Sequence, residues 1–322
     1  MPPITRRTLL AGLGAAALTG CSTRHTTPPA DTVAATVTPS PTPLPPVTVN
    51  TATGPVLVPG APMRVVALDT AEFDSALTLG ITPVGAALAP LDSGFPDYWP
   101  TSRLSGITRV GDIGNPDLSA IRALRPDLIL SNQTRDGARY DQLREIAPTV
   151  LTQTTGAPWK GDFQVHAQAL SRQEAAAAFV GSYQRHVSQV IQALAGAKAS
   201  GRKVSLVRFV EGGGIRLYGR QNFLGTVLAD VQLGRPDAQN TDQFDVEIPI
   251  DQLAKADGDL LVYATYGNPA GTAAVLAMPA WQSLGAVRAH RAFEVDDQLW
   301  FQGIGYTGAN YVLAELQRFL GA

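Results

Sequence analysis

Arginine and tyrosine side chains near the ends of predicted strands are the residues of this chain best suited to hold an oxygen-rich anion. Arg208 lies at the carboxyl end of the apolar run "VSLVRF" (204–209), next to its last residue, and this run predicts a strand buried on both faces. A buried guanidinium without a partner is costly, so something must satisfy it. Glu211 or Asp296 could do so within the protein. A bound anion is the other alternative, because arginine recognises oxyanions in planar, bidentate geometry.

Further candidates lie in two glycine-containing turns. Tyr218 and Arg220, in "RLYGRQNF", come just before a predicted helix, where backbone N–H groups also attract oxyanions. Simple surface exposure is the alternative for this pair. Trp300 and Tyr306, in "LWFQGIGYTG", either line a cleft or pack inside a folded lobe.

A second set of candidates lies in the N-terminal half of the chain. Trp99 is part of "FPDYWP", and the polar residues Asn132, Gln133 and Thr134 follow the apolar run "DLILS". Trp99 and Gln133 are further candidates for ligand contacts.

The sequence lacks the motifs that would indicate an enzyme. It contains no G-x-S-x-G elbow, no H-E-x-x-H pair and no phosphate-binding P-loop. The four histidines, His25, His166, His186 and His290, are scattered and favour packing or surface roles over metal ligation. The segment "EGGGI" (211–215) predicts a hairpin turn. We therefore expect no catalytic residues, no metal site and no cofactor.

Apolar runs alternate with helical patterns along most of the chain. "RVVALD" (64–69) predicts a strand, "TAEFDSALTLG" a helix and "ITPVGAAL" a second strand. The rhythm recurs with the helix "DLSAIRAL" and the strand "DLILS", then with "GARYDQLREIA" and "TVLTQ". Such alternation is typical of a parallel sheet covered by helices.

One long helix separates two stretches of this rhythm. Ser171 and Glu174 form a capping-box signature, and Gly196 supplies a stop. About 24 residues of helix span about 36 Å. After it, strands are predicted over 203–209, 259–264 and 292–296, and helices over 222–232, 250–256 and 307–320.

The two stretches also resemble each other. "SAIRALRPDLIL" (119–130) aligns with "DQLAKADGDLLV" (251–262). The sequence therefore predicts an α/β protein of two Rossmann-like lobes, each with a central sheet. We place the N-terminal lobe at 62–170, the interlobe helix at 171–196 and the C-terminal lobe at 197–322.

The first residues resemble an export signal with a lipid attachment site. Arg6 and Arg7 precede the apolar run 9–18, which is too short to span a bilayer. "LTGC" matches the lipobox of bacterial lipoproteins, and "TRRTLL" resembles a twin-arginine export signal. We predict a signal peptide over 1–21 with lipidation at Cys21, the only cysteine. The alternative is a chance cysteine beside a signal that is cut elsewhere.

Residues 22–61 are rich in Thr and Pro and predict an extended linker. Cleavage before Cys21 takes away two arginines and leaves 23 basic residues against 27 acidic ones. This balance gives no basic excess for nucleic-acid binding. We therefore expect a protein outside the cytoplasm, tethered to the cell membrane by its lipid alone.

From residue 62 onward the chain resembles the class III substrate-binding proteins of ABC importers, above all the lipoproteins that bind ferric siderophores. The similar segments are "RVVALDTAEFDSALTLGITPVGAA", "VGDIGNPDLSAIRALRPDLIL", "LYGRQNFLGTVLADVQLGRP" and "WFQGIGYTGANYVLAELQRFL". The resemblance implies two lobes, a rigid connecting helix and one ligand site in the cleft between the lobes.

The resemblance also implies a ligand and a partner. The ligand would be an iron(III)–siderophore complex, and Arg208 would face it together with Tyr218, Arg220 and the aromatic residues named above. The partner would be an ABC permease dimer in the membrane, and the protein would act as a monomer. Members of this family dock through a Glu on each lobe. Here Asp251 occupies the C-lobe position, Ser119 replaces the N-lobe Glu, and Asp117 is its nearest substitute.

Two alternatives remain from the sequence. The same fold could bind haem or cobalamin instead of a ferric siderophore. The chain could also be an envelope interaction protein without a transport role, since residue 119 is not Glu.

Overall fold

The computed structural model describes residues 44–212 and 214–322. The predicted signal peptide with Cys21, and the linker up to residue 43, lie outside the described residues. None of the described helices is both long and apolar enough to cross a membrane.

Thirteen strands and thirteen helices are found in the described part of the chain. The strands are β1 Val47–Thr51, β2 Gly54–Val58, β3 Val65–Ala67, β4 Gly85–Leu88, β5 Thr108–Asp112, β6 Asn115–Pro116, β7 Leu128–Asn132, β8 Thr149–Thr152, β9 Val204–Val210, β10 Ile215–Tyr218, β11 Asp245–Ile248, β12 Leu260–Tyr266 and β13 Ala292–Glu294. The helices are α1 Thr70–Thr78, α2 Thr101–Leu104, α3 Leu118–Ala123, α4 Gln133–Asp136, α5 Tyr140–Arg144, α6 Trp159–Ala169, α7 Gln173–Gly196, α8 Phe223–Asp230, α9 Pro269–Leu276, α10 Pro279–Gln282, α11 Gly285–Arg288, α12 Asp297–Trp300 and α13 Tyr306–Leu320. Three 3₁₀ segments are also described: Gly137–Arg139, Asp237–Gln239 and Ile250–Ala256.

Each lobe contains one central sheet. The N-lobe sheet has the order β6-β5-β4-β3-β7-β8, and all its pairings are parallel except that of β6 with β5. The C-lobe sheet has the order β11-β10-β9-β12-β13, with β9, β12 and β13 parallel and β10 and β11 antiparallel. The predicted α/β architecture of two lobes is confirmed. The antiparallel pairing of β9 with β10 also confirms the hairpin turn at 211–215.

The linker prediction is wrong for its last part. β1 and β2 pair antiparallel, with Val47 opposite Val58, and Val49 and Val58 have no exposed surface. The side chain of Gln168 on α6 donates to the Thr48 carbonyl at 3.0 Å, which ties the hairpin to the N-lobe. Alternating β-branched residues gave this segment a buried face, which its Thr/Pro-rich composition concealed.

Helix α7 lies between the two sheets in the chain and begins one residue later than the capping-box signature predicts. Ser171 has a left-handed φ of 54°, and its hydroxyl accepts from the Ala61 N–H at 3.2 Å instead of capping the helix. Arg172 is the N-cap, and its side chain does not cap the helix. Local pattern placed the helix, but a contact with residue 61 determined its start.

The sequence repeat corresponds to a repeated hydrogen bond. Asp127 accepts the N–H groups of Met63 and Arg64, each at 2.9 Å, just before β3. Asp259 accepts the Lys203 N–H at 2.8 Å, just before β9. In both lobes, therefore, an aspartate at the start of one central strand fixes the start of the neighbouring strand.

Candidate functional site

The lobes pack together through their helices, with Trp159 and Phe163 of α6 against Tyr306 of α13, and they also touch at two places beside their sheets. At the first, the Leu91 N–H of the N-lobe donates to the Tyr266 hydroxyl at 3.1 Å. Next to it, Asp92 accepts from the side-chain amides of Gln298 at 3.0 Å and Gln302 at 3.4 Å. At the second, Gly156 approaches Phe244 so closely that a Cβ on the glycine would lie 3.0 Å from the ring.

Sheet order determines what lies between these two contacts on the N-lobe. Leu91 follows β4 and Gly156 follows β8, and β3 and β7 lie between those two strands. The residues at the carboxyl ends of β3 and β7, Asp69 and Asn132, therefore form the middle of the N-lobe wall. Ligands of open α/β folds bind at such strand ends.

On the C-lobe, Tyr266 ends β12 and Phe244 precedes β11, so that β9 and β10 lie between the two contacts in the sheet order. β9 contributes Arg208. Tyr218 ends β10, which runs antiparallel to β9, so its backbone lies toward the opposite edge of the sheet from Tyr266. Tyr218 is 4% exposed, and its hydroxyl lies beside the Arg208 guanidinium.

Arg208 forms a bidentate ion pair with Asp297. Nε lies 2.6 Å from Oδ1, and Nη2 lies 2.5 Å from Oδ2. Both side chains are 11% exposed. Burial alone would lower the pKa of the guanidinium, but hydrogen bonds and the charge of Asp297 raise it above the ordinary value. The internal ion-pair alternative is therefore observed, with Asp297 in place of the expected Glu211 or Asp296.

Aromatic groups surround this ion pair. The Arg208 guanidinium carbon lies 4.2 Å from the centroid of the Tyr266 ring, a cation–π contact. Its Nη1 lies 3.4 Å from the Tyr218 hydroxyl, and the Tyr218 ring packs on Phe301 with centroids 4.8 Å apart. Burial raises the pKa of Tyr218, so this phenol stays protonated and can donate a hydrogen bond to an oxygen.

The N-lobe wall carries a second arginine, Arg135. Its Nε donates to Asp69 at 3.0 Å, and Asp69 also accepts from the Asn132 amide at 3.0 Å. The Arg135 side chain is 42% exposed. Neither terminal nitrogen of this guanidinium hydrogen-bonds to any residue that the structure describes. Arg135 is thus an anchored cation with free donors.

An acidic recess opens at the first contact between the lobes. It has a volume of about 710 Å³ and includes the carboxylates of Asp92, Glu294, Asp296 and Asp297 but no Lys or Arg. Burial raises the pKa values of Asp92 and Asp296. An anionic ligand would be repelled here. Arg208, which pairs with Asp297 at the edge of this recess, and Arg135 are the groups suited to oxyanions.

Trp300 and Tyr306 do not line the crevice, contrary to the expectation from sequence. Trp300 has no exposed surface, its indole N–H donates to Glu315 at 2.6 Å, and its ring stacks near Phe319. Tyr306 is 3% exposed and packs at 4.7 Å on the rings of Trp159 and Phe163. Packing inside the fold, the alternative left open by the sequence, accounts for both.

The other predicted residues are spread over the surface and the core. Trp99 is 9% exposed in a core cluster with Phe73 and Leu77, and is not a wall residue. Gln133 is exposed at the start of α4 and accepts from the Gln153 amide at 3.1 Å. Arg220 is exposed and pairs with Asp242 at 3.0 Å in a different recess, so it is not brought to the middle of the crevice.

The two predicted docking carboxylates are in different situations. Asp251 is exposed in the 3₁₀ segment, and its carboxylate has no hydrogen bond or ion pair with any described residue. Asp117 is the N-cap of α3, where one oxygen accepts from the N–H groups of Ser119 and Ala120 at 2.9 and 3.0 Å. Asp251 is therefore free to pair with an external cation, and Asp117 is partly occupied.

Sequence reasoning missed three residues of the crevice: Tyr266, Asp297 and Arg135. The first two lie at or just past the carboxyl ends of β12 and β13. Applying the strand-end rule to those strands, as was done for Arg208, would have found them. Arg135 follows the polar trio after β7, on the first turn of a short helix.

Comparisons with known proteins agree with this architecture. The sequence profile of the family described as "Periplasmic binding protein" matches residues 65–299. A Bacillus subtilis protein named "Probable siderophore-binding lipoprotein YfiY" is 30% identical over 275 residues, which cover 81% of this chain and 83% of that protein. The Fe(3+)-citrate-binding protein YfmC of the same organism is 28% identical and covers 78% and 79%.

A solved structure is similar as well. Staphylococcus aureus SirA complexed with staphyloferrin B superposes with a TM-score of 0.76 at 24% identity. The match covers 85% of this chain and 98% of SirA. At this identity the similarity supports the fold.

Proposed function

Because the chain belongs to the periplasmic binding protein family, we propose that it captures a ferric siderophore outside the cytoplasm and delivers it to an ABC importer. The relatives support the ligand class, since one is named as siderophore-binding and another as Fe(3+)-citrate-binding. In this proposal the protein binds and releases its ligand unchanged.

One observation carries the proposal: each wall of the crevice has a guanidinium that a carboxylate already holds in place. A guanidinium has five N–H donors. Arg208 uses two on Asp297 and one on Tyr218, which leaves two for a ligand. Arg135 uses only its Nε on Asp69 and keeps four donors.

Anchored donors of this kind suit the oxygen shell of an iron chelate. Charge-assisted hydrogen bonds from Arg to anionic oxygens are among the strongest in proteins. Because Asp297 and Asp69 fix the two guanidinium groups before the ligand arrives, little side-chain entropy is lost on binding. The protein need not ligate the iron, which keeps its chelator throughout.

The acidic recess limits where the chelate sits. An anionic complex cannot occupy the side lined by Asp92, Glu294 and Asp296 without strong repulsion. We place it between Arg135 and Arg208, with Phe244, 43% exposed, as an apolar wall.

Anchoring and delivery complete the proposal. We propose that Cys21 carries the lipid after twin-arginine export, so that the monomer stays at the membrane surface. The free carboxylate of Asp251 would dock on a basic residue of the permease dimer, with Asp117 as a weaker contact on the other lobe.

A binding screen tests the ligand class. The purified protein is titrated with ferric citrate and with one carboxylate, one hydroxamate and one catecholate ferric siderophore, while tryptophan fluorescence is followed. Haem serves as the competing ligand. Saturable quenching by a ferric siderophore supports the proposal. Binding of haem alone, or of none of these ligands, refutes it.

A further inference from the structure

A second charged recess lies on the C-lobe, apart from the crevice. It has a volume of about 340 Å³, and its lining includes Lys203, Arg220, Arg235, Asp237 and Asn240. Three cations therefore face one carboxylate. The rest of the lining is glycine, alanine and leucine, which brings no further charge.

Arg235 is the unusual member of this set. It is 9% exposed, and its Nη2 donates to the carbonyl oxygen of Tyr218. Its Nε and Nη1 have no hydrogen-bond partner among the residues that the structure describes. Burial, together with the charge of Arg220, lowers the pKa of Arg235 to about 10. The group thus remains charged at neutral pH while lacking a counter-ion, which is costly.

The other two cations are held by exposed contacts: each has a surface ion pair, and Nη1 of Arg220 also donates to Asn240 at 3.0 Å. Lys203 lies 2.9 Å from Asp237, and these side chains are 52% and 94% exposed. Arg220 lies 3.0 Å from Asp242, and these two side chains are 46% and 73% exposed. Ion pairs this exposed contribute little stability, so both cations can turn toward a ligand at small cost.

We propose that this recess is a binding site for a small tetrahedral oxyanion, of the phosphate or sulfate type. Such an anion offers several acceptor oxygens at once, which matches a site with one buried guanidinium and two mobile cations around it. A single surface carboxylate, such as Asp237 or Asp242 in the existing ion pairs, cannot contact all three cations.

The site is separate from the crevice but adjoins it through one residue. The Tyr218 carbonyl accepts from Arg235, and the Tyr218 hydroxyl lies 3.4 Å from Nη1 of Arg208. The proposal does not depend on which ligand occupies the crevice.

Calorimetric titration of the purified protein with inorganic phosphate tests the site, at constant ionic strength with chloride as the comparison anion. We expect saturable phosphate binding that weakens by about tenfold in Arg220→Gln and in Lys203→Gln, since each loses a charge-assisted contact. Arg216→Gln is the matched control, because Arg216 is a β10 residue that pairs loosely with Glu247, at 4.0 Å. Arg235→Gln is measured alongside, with its thermal unfolding as a check on folding.

Phosphate binding that is absent, or that Arg216→Gln weakens as much as Arg220→Gln does, would overturn the proposal. A further arm separates two sources of the oxyanion. Phosphatidylglycerol vesicles that compete with phosphate would support the site and assign it to lipid headgroups, whereas phosphate binding unaffected by vesicles would support it as a site for the free anion.

Discussion

Arg208 and Asp297 lie at the ends of different C-lobe elements and form a two-point ion pair, with N···O distances of 2.6 and 2.5 Å. The Gln302 amide also donates to Asp297 at 2.8 Å. The carboxylate thus fixes the plane of the guanidinium, and the Tyr266 ring covers one of its faces. The remaining N–H groups of Arg208 are held in one direction, which is what a preformed anion site requires.

The two members of this pair should be strongly coupled in stability. Arg208→Met leaves the nearly buried Asp297 carboxylate without its partner, and we expect the free energy of unfolding to fall by about 3–5 kcal/mol. The double variant that combines Arg208→Met with Asp297→Asn no longer has the unpaired charge and should recover a large part of that loss. Urea unfolding followed by tryptophan fluorescence measures both. Strictly additive losses would show that the two groups do not interact.

Asp162 should make stability depend on pH. Burial raises its pKa from 3.8 to about 7, and its Oδ2 has no partner among the described residues. The folded protein therefore binds more protons than the unfolded chain between these pH values, and stability falls as pH rises through that window. Asp162→Asn should raise the free energy of unfolding at pH 8, by up to about 4 kcal/mol, and have little effect near pH 4.

Asp141→Asn is the control for this experiment, because the Asp141 side chain is 80% exposed. Its effect on unfolding should be small at every pH. If Asp162→Asn stabilised the protein equally at pH 4 and pH 8, the carboxyl would not be the titrating group.

Trp300 should matter for folding and not for ligand binding. Trp300→Phe removes the hydrogen bond to Glu315 and part of a fully buried ring, so we expect the free energy of unfolding to drop by about 1–3 kcal/mol. Siderophore affinity, measured at a temperature where the variant is folded, should stay within a factor of two of the original value. A twofold change in Kd corresponds to about 0.4 kcal/mol of binding free energy. A larger loss of affinity would show that Trp300 contributes to the ligand site.

Asp251 should affect transport without affecting capture. Asp251→Arg reverses an exposed, unpaired charge, and we expect importer-dependent iron uptake to fall about tenfold, the equivalent of about 1.4 kcal/mol in docking. Asp117→Asn keeps the helix cap and should reduce uptake less. Glu174→Arg, on the exposed side of α7, is the control. Loss of siderophore affinity in Asp251→Arg would place this residue in the ligand site instead of the docking surface.

Local sequence pattern predicted the central elements of the fold well. Strands β3, β7, β9 and β12 are short, continuous apolar runs because helices cover both their faces, and such runs are visible in sequence. Edge strands are different. β6 is only Asn115–Pro116, which is too short for a periodic signal, and β11, Asp245–Ile248, alternates polar and apolar residues over four positions only. Their pairing depends on distant partners.

The site was predictable only in part. Arg208 was identifiable because a charge inside a buried strand needs a partner, but the identity of that partner depends on how the loop after β13 folds back. Trp300 and Tyr306 lie in a glycine-rich turn, and sequence alone could not distinguish a wall of the crevice from a packed core. Arg135 depends on the juxtaposition of β3 and β7, which only the folded chain shows.

The most direct test of the central claim is the affinity of the best ferric siderophore from the screen for Arg208→Gln and Arg135→Gln. If the chelate sits between these two guanidinium groups, each variant should bind at least about tenfold more weakly. Arg318→Gln, which changes an exposed residue on α13, should bind as the original protein does. Affinity that is unchanged in both Arg208→Gln and Arg135→Gln would contradict the account.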